Sequence, residues 1–430
     1  MLNRTPKPEG HCASYYAATV NSESNYPTLE GDHSVDVCVV GGGFSGVSCA
    51  LTLAERGYKV ALVEANKIGW GASGRNGGQL IGGMSGSPEF RRQFGEDGEK
   101  LLWSIHYRGN EIVEERVAKY GIDCDLKRGW ISVANKPSHM KHIEDDFKAH
   151  EKHGLGSDME LLDREALSKV LATDAYHGGL VYGRNGHLHP LNLCIGEANA
   201  ASNLGVAIFE GSPVTAIEHG EKPVVSTARG RVTADTVILA GGAYHLLSQD
   251  RLNGLLFPTG SYIVATEPLG ELADEINPRD LAVCDTNLIL DYYRLSADKR
   301  MLYGGRCNYS NREPRDIAGS IRPRMVQVFP QLSGKKIDYA WGGKIGIIIN
   351  RVPAIGRLEP NVFYLQGYSG HGVNFAHVAS EIVADAVAGT MERFDVFERV
   401  KHVRIPTTRW LGNQLLALGM SYYRLRDLMS

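Results

Sequence analysis

The sequence predicts an α/β fold with a Rossmann-type nucleotide-binding domain, and three observations carry that prediction. A β-branched run, "VDVCVV" (35–40), leads straight into "GGGFSG", then into "VSCALTLAERG" with apolar residues at helical spacing, then into a second apolar run, "KVALVEA". Gly41, Gly43 and Gly46 fit G-x-G-x-x-G at the strand-to-helix junction. Glu64 closes the second strand about 20 residues beyond Gly43, the place for an acid that accepts hydrogen bonds from ribose hydroxyls.

Each part of that unit has a physical reason. The first glycine makes the tight turn, the second lets a pyrophosphate reach the backbone, and the third lets helix and strand pack. Phe44 and Ser45 then open a helix whose unpaired N–H groups face the phosphates. Gly57 stands where a helix C-cap belongs. Acidic Glu64, followed by Ala65, disfavours a 2′-phosphate and leaves NAD or FAD.

The next stretch separates the two. In "GWGASGRNGGQLIGG" (69–83) seven of fifteen residues are glycine, a composition costly to order. A nicotinamide enzyme would continue into another helix and strand. An extended backbone lying against a flat polar group explains the glycines better, so Gly71, Ala72, Ser73, Arg75, Asn76, Gly77, Gly78 and Gln79 are expected along an isoalloxazine ring. A second glycine site follows a strand in "RVTADTVILAGGAYHLLS" (231–248), at Gly241 and Gly242. A third lies in "GYSGHGVNFAHVASEIVADAVAG" (367–389), where Phe375, Ala379, Ile382, Val383 and Ala386 mark one helical face. There Ser369, Gly370, His371, Gly372 and Val373 feed a helix N-terminus, whose positive end suits the anionic edge of a reduced flavin. Three distant glycine sites imply one FAD held by a discontinuous domain.

Composition fits small-molecule chemistry. A chain of 430 residues suggests two or three domains, and 43% hydrophobic with 22% charged residues reads as globular. A formal charge of −3 offers no broad basic surface for nucleic acid. No signal-peptide core or transmembrane run is read, which places the protein in the cytoplasm. Seven scattered cysteines without a Cys-x-x-Cys pair argue against a disulfide framework or a zinc site. His187 and His189 alternate but find no third ligand, and a turn before Pro190 accounts for them, so no metal is expected.

The longer strings "SYYAA", "GASGRNGGQL", "HPLNL" (189–193), "LDYYRL" (290–295), "KIDY" (336–339) and "QGYSGHGV" (366–373) carry a resemblance across almost the whole chain. It resembles the D-amino-acid-oxidase-like FAD oxidoreductases, the group that includes glycine oxidase and sarcosine oxidase. The resemblance implies an FAD-binding domain from 30–85, 150–245 and 340–400. An antiparallel-sheet α+β substrate domain comes from 86–149 and 246–339. An N-terminal extension (1–29) and a C-terminal helical segment (401–430) flank them, the latter a candidate subunit interface in a homo-oligomer. Val214 and Gly343 complete the residues expected to hold the cofactor.

The resemblance also implies the chemistry. A C–H bond beside an amine is oxidised, the imine is hydrolysed to an aldehyde with release of ammonia, and oxygen reoxidises the flavin to yield hydrogen peroxide. The substrate it implies is γ-glutamylputrescine, an intermediate of putrescine and polyamine catabolism. A free alkylamine has a pKa near 10.4, so the site must favour the neutral form, and desolvation by aromatic walls does so. Tyr292, Tyr293 and Trp341 are the candidate walls, and His371 a candidate for shaping the flavin environment. Arg294, Arg306 and Arg351 are candidates for the remote carboxylate.

Sarcosine oxidases carry a lysine where this chain has Asn374, which weighs against a small amino-acid substrate. They also attach FAD through a cysteine in the segment matching "DYAWGGKIG" (338–346), which has none here, so a non-covalent FAD is expected. An NAD-dependent dehydrogenase, a non-catalytic flavoprotein, a small amino-acid oxidase or dehydrogenase, and a quinone or carrier as acceptor stay open.

Overall fold

The run at 35–40 lies in strand Gly31–Val40, at the centre of a largely parallel sheet where Val37, Cys38 and Val39 are all buried. A strand flanked by helices on its faces needs apolar residues at successive positions. It pairs in parallel with Val60–Val63 on one side and Gly230–Leu239 on the other. Ala207–Phe209 extends the sheet past the first partner, and Val362–Gln366 past the second. Ala354–Glu359 closes that edge in antiparallel sense, and a small hairpin, Ala216–Glu218 with Val224–Ser226, branches from Gly230–Leu239. The computed structural model describes residues 7–245, 247, 252–287, 290–308, 313–405 and 414, with the side chains of 306 and 307 outside that set.

Helices Phe44–Glu55, Pro190–Asn203 and Gly372–Val387 pack against one another beside this sheet. The face read from the sequence, Phe375, Ala379, Ile382, Val383 and Ala386, is wholly buried. Removing each larger side chain from water contributes roughly 1.5–3 kcal/mol. Gly57, at φ +87°, follows the first of these helices as its stop signal.

The second sheet has nine strands. Its backbone is the long strand Leu256–Thr266, paired antiparallel with Ile337–Ile348 on one side and Met301–Asn308 on the other. Beyond Met301–Asn308 come Tyr292–Leu295, Ala282–Asp285, Lys127–Val133 and Gly178–His187. Gln79–Leu80 and Met159–Asp163 both pair with Gly178–His187. Among these pairings one is parallel, Ala282–Asp285 with Lys127–Val133. A separate core, including Val264, Tyr293, Tyr303, Met325 and Phe329, fills one face of this sheet.

Three expected boundaries move. Residues 159–187 belong to the second sheet, not to the nucleotide-binding unit, and so does most of 340–348. Helices Ser87–Ser104 and Arg108–Tyr120, expected with the substrate domain, bury Phe90, Leu102 and Val113 in the core of the first unit. The chain crosses between the units at His187–Pro190, where His189 Nδ1 caps helix Pro190–Asn203 by accepting from Asn192 N–H at 3.1 Å.

The N-terminal extension is part of the fold. Tyr15 and Tyr16 are buried, and Tyr15 donates to Asp298 at 2.7 Å. Of the expected C-terminal segment, 401–405 and 414 alone are described, and the rest lies outside the described residues. Among the described residues no helix is long and apolar enough to cross a membrane.

Candidate cofactor and active site

The three glycine sites converge on one cavity of about 700 Å³. Gly41, at φ +115°, makes the first turn, and a Cβ there would sit 2.8 Å from the carbonyl oxygen of Ala240. Gly43 caps helix Phe44–Glu55 without a side chain, which leaves the helix entrance open to the cavity. Gly46 faces away from the cavity, and a Cβ would lie 1.8 Å from Gly41 O, so its role is helix–strand packing.

Glu64 lines the same cavity with Ala65 and Val214. Its carboxylate accepts from Gly42 N–H at 2.6 Å and Asn66 N–H at 2.8 Å. Burial raises its pKa above the ordinary carboxylate value, and those two N–H groups work in the opposite direction. A carboxylate has about four lone-pair positions, so ribose hydroxyls still find acceptors on it.

The loop at 69–83 is ordered by its neighbours. Asn76 Nδ2 donates to Ala72 O at 3.1 Å and Ser73 O at 2.9 Å, while its Oδ1 accepts from Gly78 N–H at 2.8 Å. Ser73 Oγ accepts from Phe44 N–H at 2.8 Å, tying the loop to the fingerprint helix. Glycine is needed where backbones touch: a Cβ on Gly74 would lie 2.2 Å from Gly69 O, and one on Gly78 2.2 Å from Leu188 O.

Gly71, Ala72, Ser73 and Asn76 line the cavity, as do Gly241 and Gly242 and, from the third site, Ser369, Gly370, Gly372 and Val373. Other predicted residues stand behind the wall. Arg75 donates to Trp70 O at 2.8 Å and stacks on the Trp70 ring at 4.5 Å. Gly77 and Gly343 make room for Tyr292 and Arg75 respectively, and Gln79 donates to Val283 O at 2.9 Å. His371 caps helix Gly372–Val387 outside the cavity lining, with its Nδ1 buried and unpartnered.

The proposed catalytic aromatics separate. Tyr293 belongs to the second core, stacked on Tyr303 at 5.3 Å and bonded to Tyr176. Trp341 is 2% exposed and donates to Arg75 O at 3.0 Å, so it holds the glycine loop from behind. Tyr292 lies against that loop at Gly77, with its hydroxyl 3.1 Å from Ser261 Oγ. The arginines separate too. Arg294, 2% exposed, donates to the carbonyls of Gly77, Leu188 and Leu295 and to the Tyr16 hydroxyl, so its guanidinium is committed within the protein. Arg306 has its side chain outside the described residues. Arg351 is half-buried at φ +63° with no ion pair among the described residues, and it is a charged neighbour of His371.

Several wall residues escaped the sequence reading. Lys7 and Glu9 come from the N-terminal segment, which is clipped by Trp70 Nε1–H donating to Gly10 O at 2.8 Å. Tyr244 accepts from Lys344 N–H at 2.6 Å, and both line the cavity. Tyr368 bonds Ser45 at 2.6 Å. Gln366 lines the cavity with its Nε2 buried and unpartnered. An orphaned amide donor is costly unless a ligand acceptor meets it. With the glycine cradle and Glu64, it fits a flavin dinucleotide. The glycines flanking Lys344 in "GGKIG" and the position of Gln366 just before Gly367 are the signals that could have found them.

A family model described as DAO, FAD dependent oxidoreductase, matches residues 36–386. The chain is 43% identical over 423 residues to the gamma-glutamylputrescine oxidoreductase of Escherichia coli (strain K12), covering 97% of this chain and 98% of that protein. It is 41% identical over 425 residues to a probable oxidoreductase OrdL of Haemophilus influenzae, covering 97% of each. Among solved structures, glycine oxidase from Geobacillus kaustophilus superposes with a TM-score of 0.71 at 21% identity, covering 86% of this chain and 100% of that one.

Proposed function

For a chain that belongs to the DAO family of FAD dependent oxidoreductases, we propose oxidation of the primary amine of γ-glutamylputrescine to the corresponding aldehyde, with ammonia released and oxygen as acceptor. The observation that carries this reading is the 43% identity to gamma-glutamylputrescine oxidoreductase over 97% of the chain. FAD, when bound, supplies the acceptor for the hydride that leaves the amine carbon.

The protein's own part is to hold the cofactor, orient the amine and keep it neutral. Glu64 and the Gly41–Gly46 turn would hold the adenosine and pyrophosphate, and Gln366 with the Ser369–Gly372 turn would meet the ring edge. Of the three aromatic candidates, Tyr292 is the one placed against the glycine loop on the second-sheet side. A ring there excludes water from an approaching alkylamine and so disfavours its cation.

Anaerobic titration of the holoenzyme with a panel of amines tests the reading through bleaching of the flavin absorbance. γ-Glutamylputrescine should bleach it fast. Putrescine, which lacks the remote carboxylate, should react poorly, because remote binding energy positions the reacting carbon. If glycine or sarcosine bleaches faster than either, the protein is a small amino-acid oxidase.

A further inference from the structure

The loop that follows the glycine-rich stretch, Gly82–Gly86, lies against His106 and the backbone of Arg351 and leads into the helix that carries Arg91. A Cβ on Gly82 would lie 3.0 Å from the His106 ring, and one on Gly86 2.6 Å from the Arg351 backbone. Gly86 also caps helix Ser87–Ser104, which carries Arg91. From the other side, Gly82 N–H donates to Asn185 Oδ1 at 2.8 Å, which also accepts from Asn110 Nδ2 at 3.2 Å. Asn110 Oδ1 in turn accepts from Asn374 Nδ2 at 2.7 Å, one turn into the helix that His371 caps.

Three polar atoms in this region are buried without partners: Arg91 Nε, His371 Nδ1 and Asn374 Oδ1. Neither Arg91 nor Arg351 makes an ion pair among the described residues, whereas nearby Arg184 is paired with Glu111 at 2.8 Å. Burial, with His150, Arg184, His371 and Arg91 nearby, holds the His106 ring neutral, and of the two arginines paired with no acid, Arg91 is the one beside it. Arg351 also sits in the left-handed region, where a non-glycine residue is held at a cost. Buried polar atoms left unpartnered beside two half-buried, unpaired arginines are costly unless a ligand meets them.

We propose that Arg91 and Arg351, beside His371 and Asn374, form a binding site for the α-amino-acid end of the substrate. The two guanidinium groups would hold the carboxylate, and Asn374 Oδ1 would accept from the α-ammonium. This rests on the amine-oxidase reading above. It replaces Arg294, whose donors are committed to carbonyls. It also places substrate recognition on the helices beside the third glycine site.

Two measurements on the FAD-loaded full chain test the site. Calorimetric titration with L-glutamate, which carries the same amino-acid end, should show binding that Arg91→Gln and Arg351→Gln weaken by about 10- to 100-fold, with Arg91→Lys in between. The same Gln variants should raise KM for γ-glutamylputrescine by a similar factor and leave kcat/KM for N-acetylputrescine, which has no carboxylate, within about twofold. Unchanged glutamate binding, or equal losses on both amines, overturns the site. If the wild-type enzyme does not oxidise γ-glutamylputrescine, the functional reading fails, and the glutamate titration alone decides: binding lost in both Gln variants upholds an amino-acid site, and no binding overturns it.

Discussion

Arg294 Nε donates to the carbonyl oxygen of Gly77 at 2.8 Å, joining the second sheet to the glycine loop of the first unit. The same guanidinium reaches Leu188 O at 2.7 Å and Leu295 O at 3.0 Å, and Tyr16 OH at 3.3 Å. Arg294→Met would leave three buried carbonyls without their donor, at about 1–3 kcal/mol each. We expect a large fall in thermal midpoint and a parallel loss of bound FAD, with no selective effect on substrates that carry a carboxylate. A stable variant with raised KM for γ-glutamylputrescine alone would return Arg294 to the substrate site.

Glu64 supports the cofactor cavity from within the chain as well as toward the ligand. Its two oxygens accept from Gly42 and Asn66, so Glu64→Ala removes the brace of the first turn along with any bonds to ribose. Charge-assisted hydrogen bonds of this kind contribute about 1.5–3 kcal/mol. FAD affinity, read by recovery of free-flavin fluorescence, should fall by roughly ten- to a hundredfold. Affinity unchanged in a folded variant would place the adenosine elsewhere.

Local signals made the nucleotide-binding unit legible. Gly41, Gly43, Gly46 and Glu64 lie within one strand–helix–strand stretch, and the face of helix Gly372–Val387 repeats at helical spacing. What stayed hidden is non-local. That Gly178–His187 pairs with Lys127–Val133 depends on partners some fifty residues away, and no single run of residues states it. "LDYYRL" places Tyr292 and Tyr293 on opposite faces of one short strand, so one meets the glycine loop and the other the second core. Alternation predicts that they part, but which goes where depends on how the sheets sit. Arg294 looked like an anion anchor because an unpaired arginine in sequence says nothing of the carbonyls that will surround it.

The attachment of FAD can be read from a strand. Ile337–Ile348 runs past Arg75 and the cavity through Gly343, Lys344 and Gly346, and no residue in it is a cysteine. We expect acid precipitation to leave the yellow colour in the supernatant. A coloured pellet would require a covalent bond from some other side chain.

Acid sensitivity follows from three buried histidines. Burial, then His150 and Arg184, lowers the pKa of His106 to about 3. Burial, then Arg294, does the same for His187 and His189, each to about 3. In the unfolded chain these rings titrate near 6.5. Between about pH 3 and 6.5 the unfolded state therefore binds more protons than the folded one, so their contribution is complete above 6.5 and is lost as pH falls toward 3. Asp285 acts in the opposite sense: burial, then Asp291, raises it to about 6, so the folded state holds a proton there that the unfolded state releases. Near pH 5 these three rings together take up about three protons on unfolding and Asp285 releases about one, so these four groups contribute about 2.7 kcal/mol per pH unit to the slope, and His402, lowered by burial to about 4, adds to it in the same direction. Urea midpoints measured from pH 7 to 4 should drop accordingly. His189→Asn keeps a capping side chain for Asn192 N–H while removing one titration, and should reduce the slope by about one proton. A slope that is flat, or unchanged by His189→Asn, would mean that these rings are protonated in the folded protein.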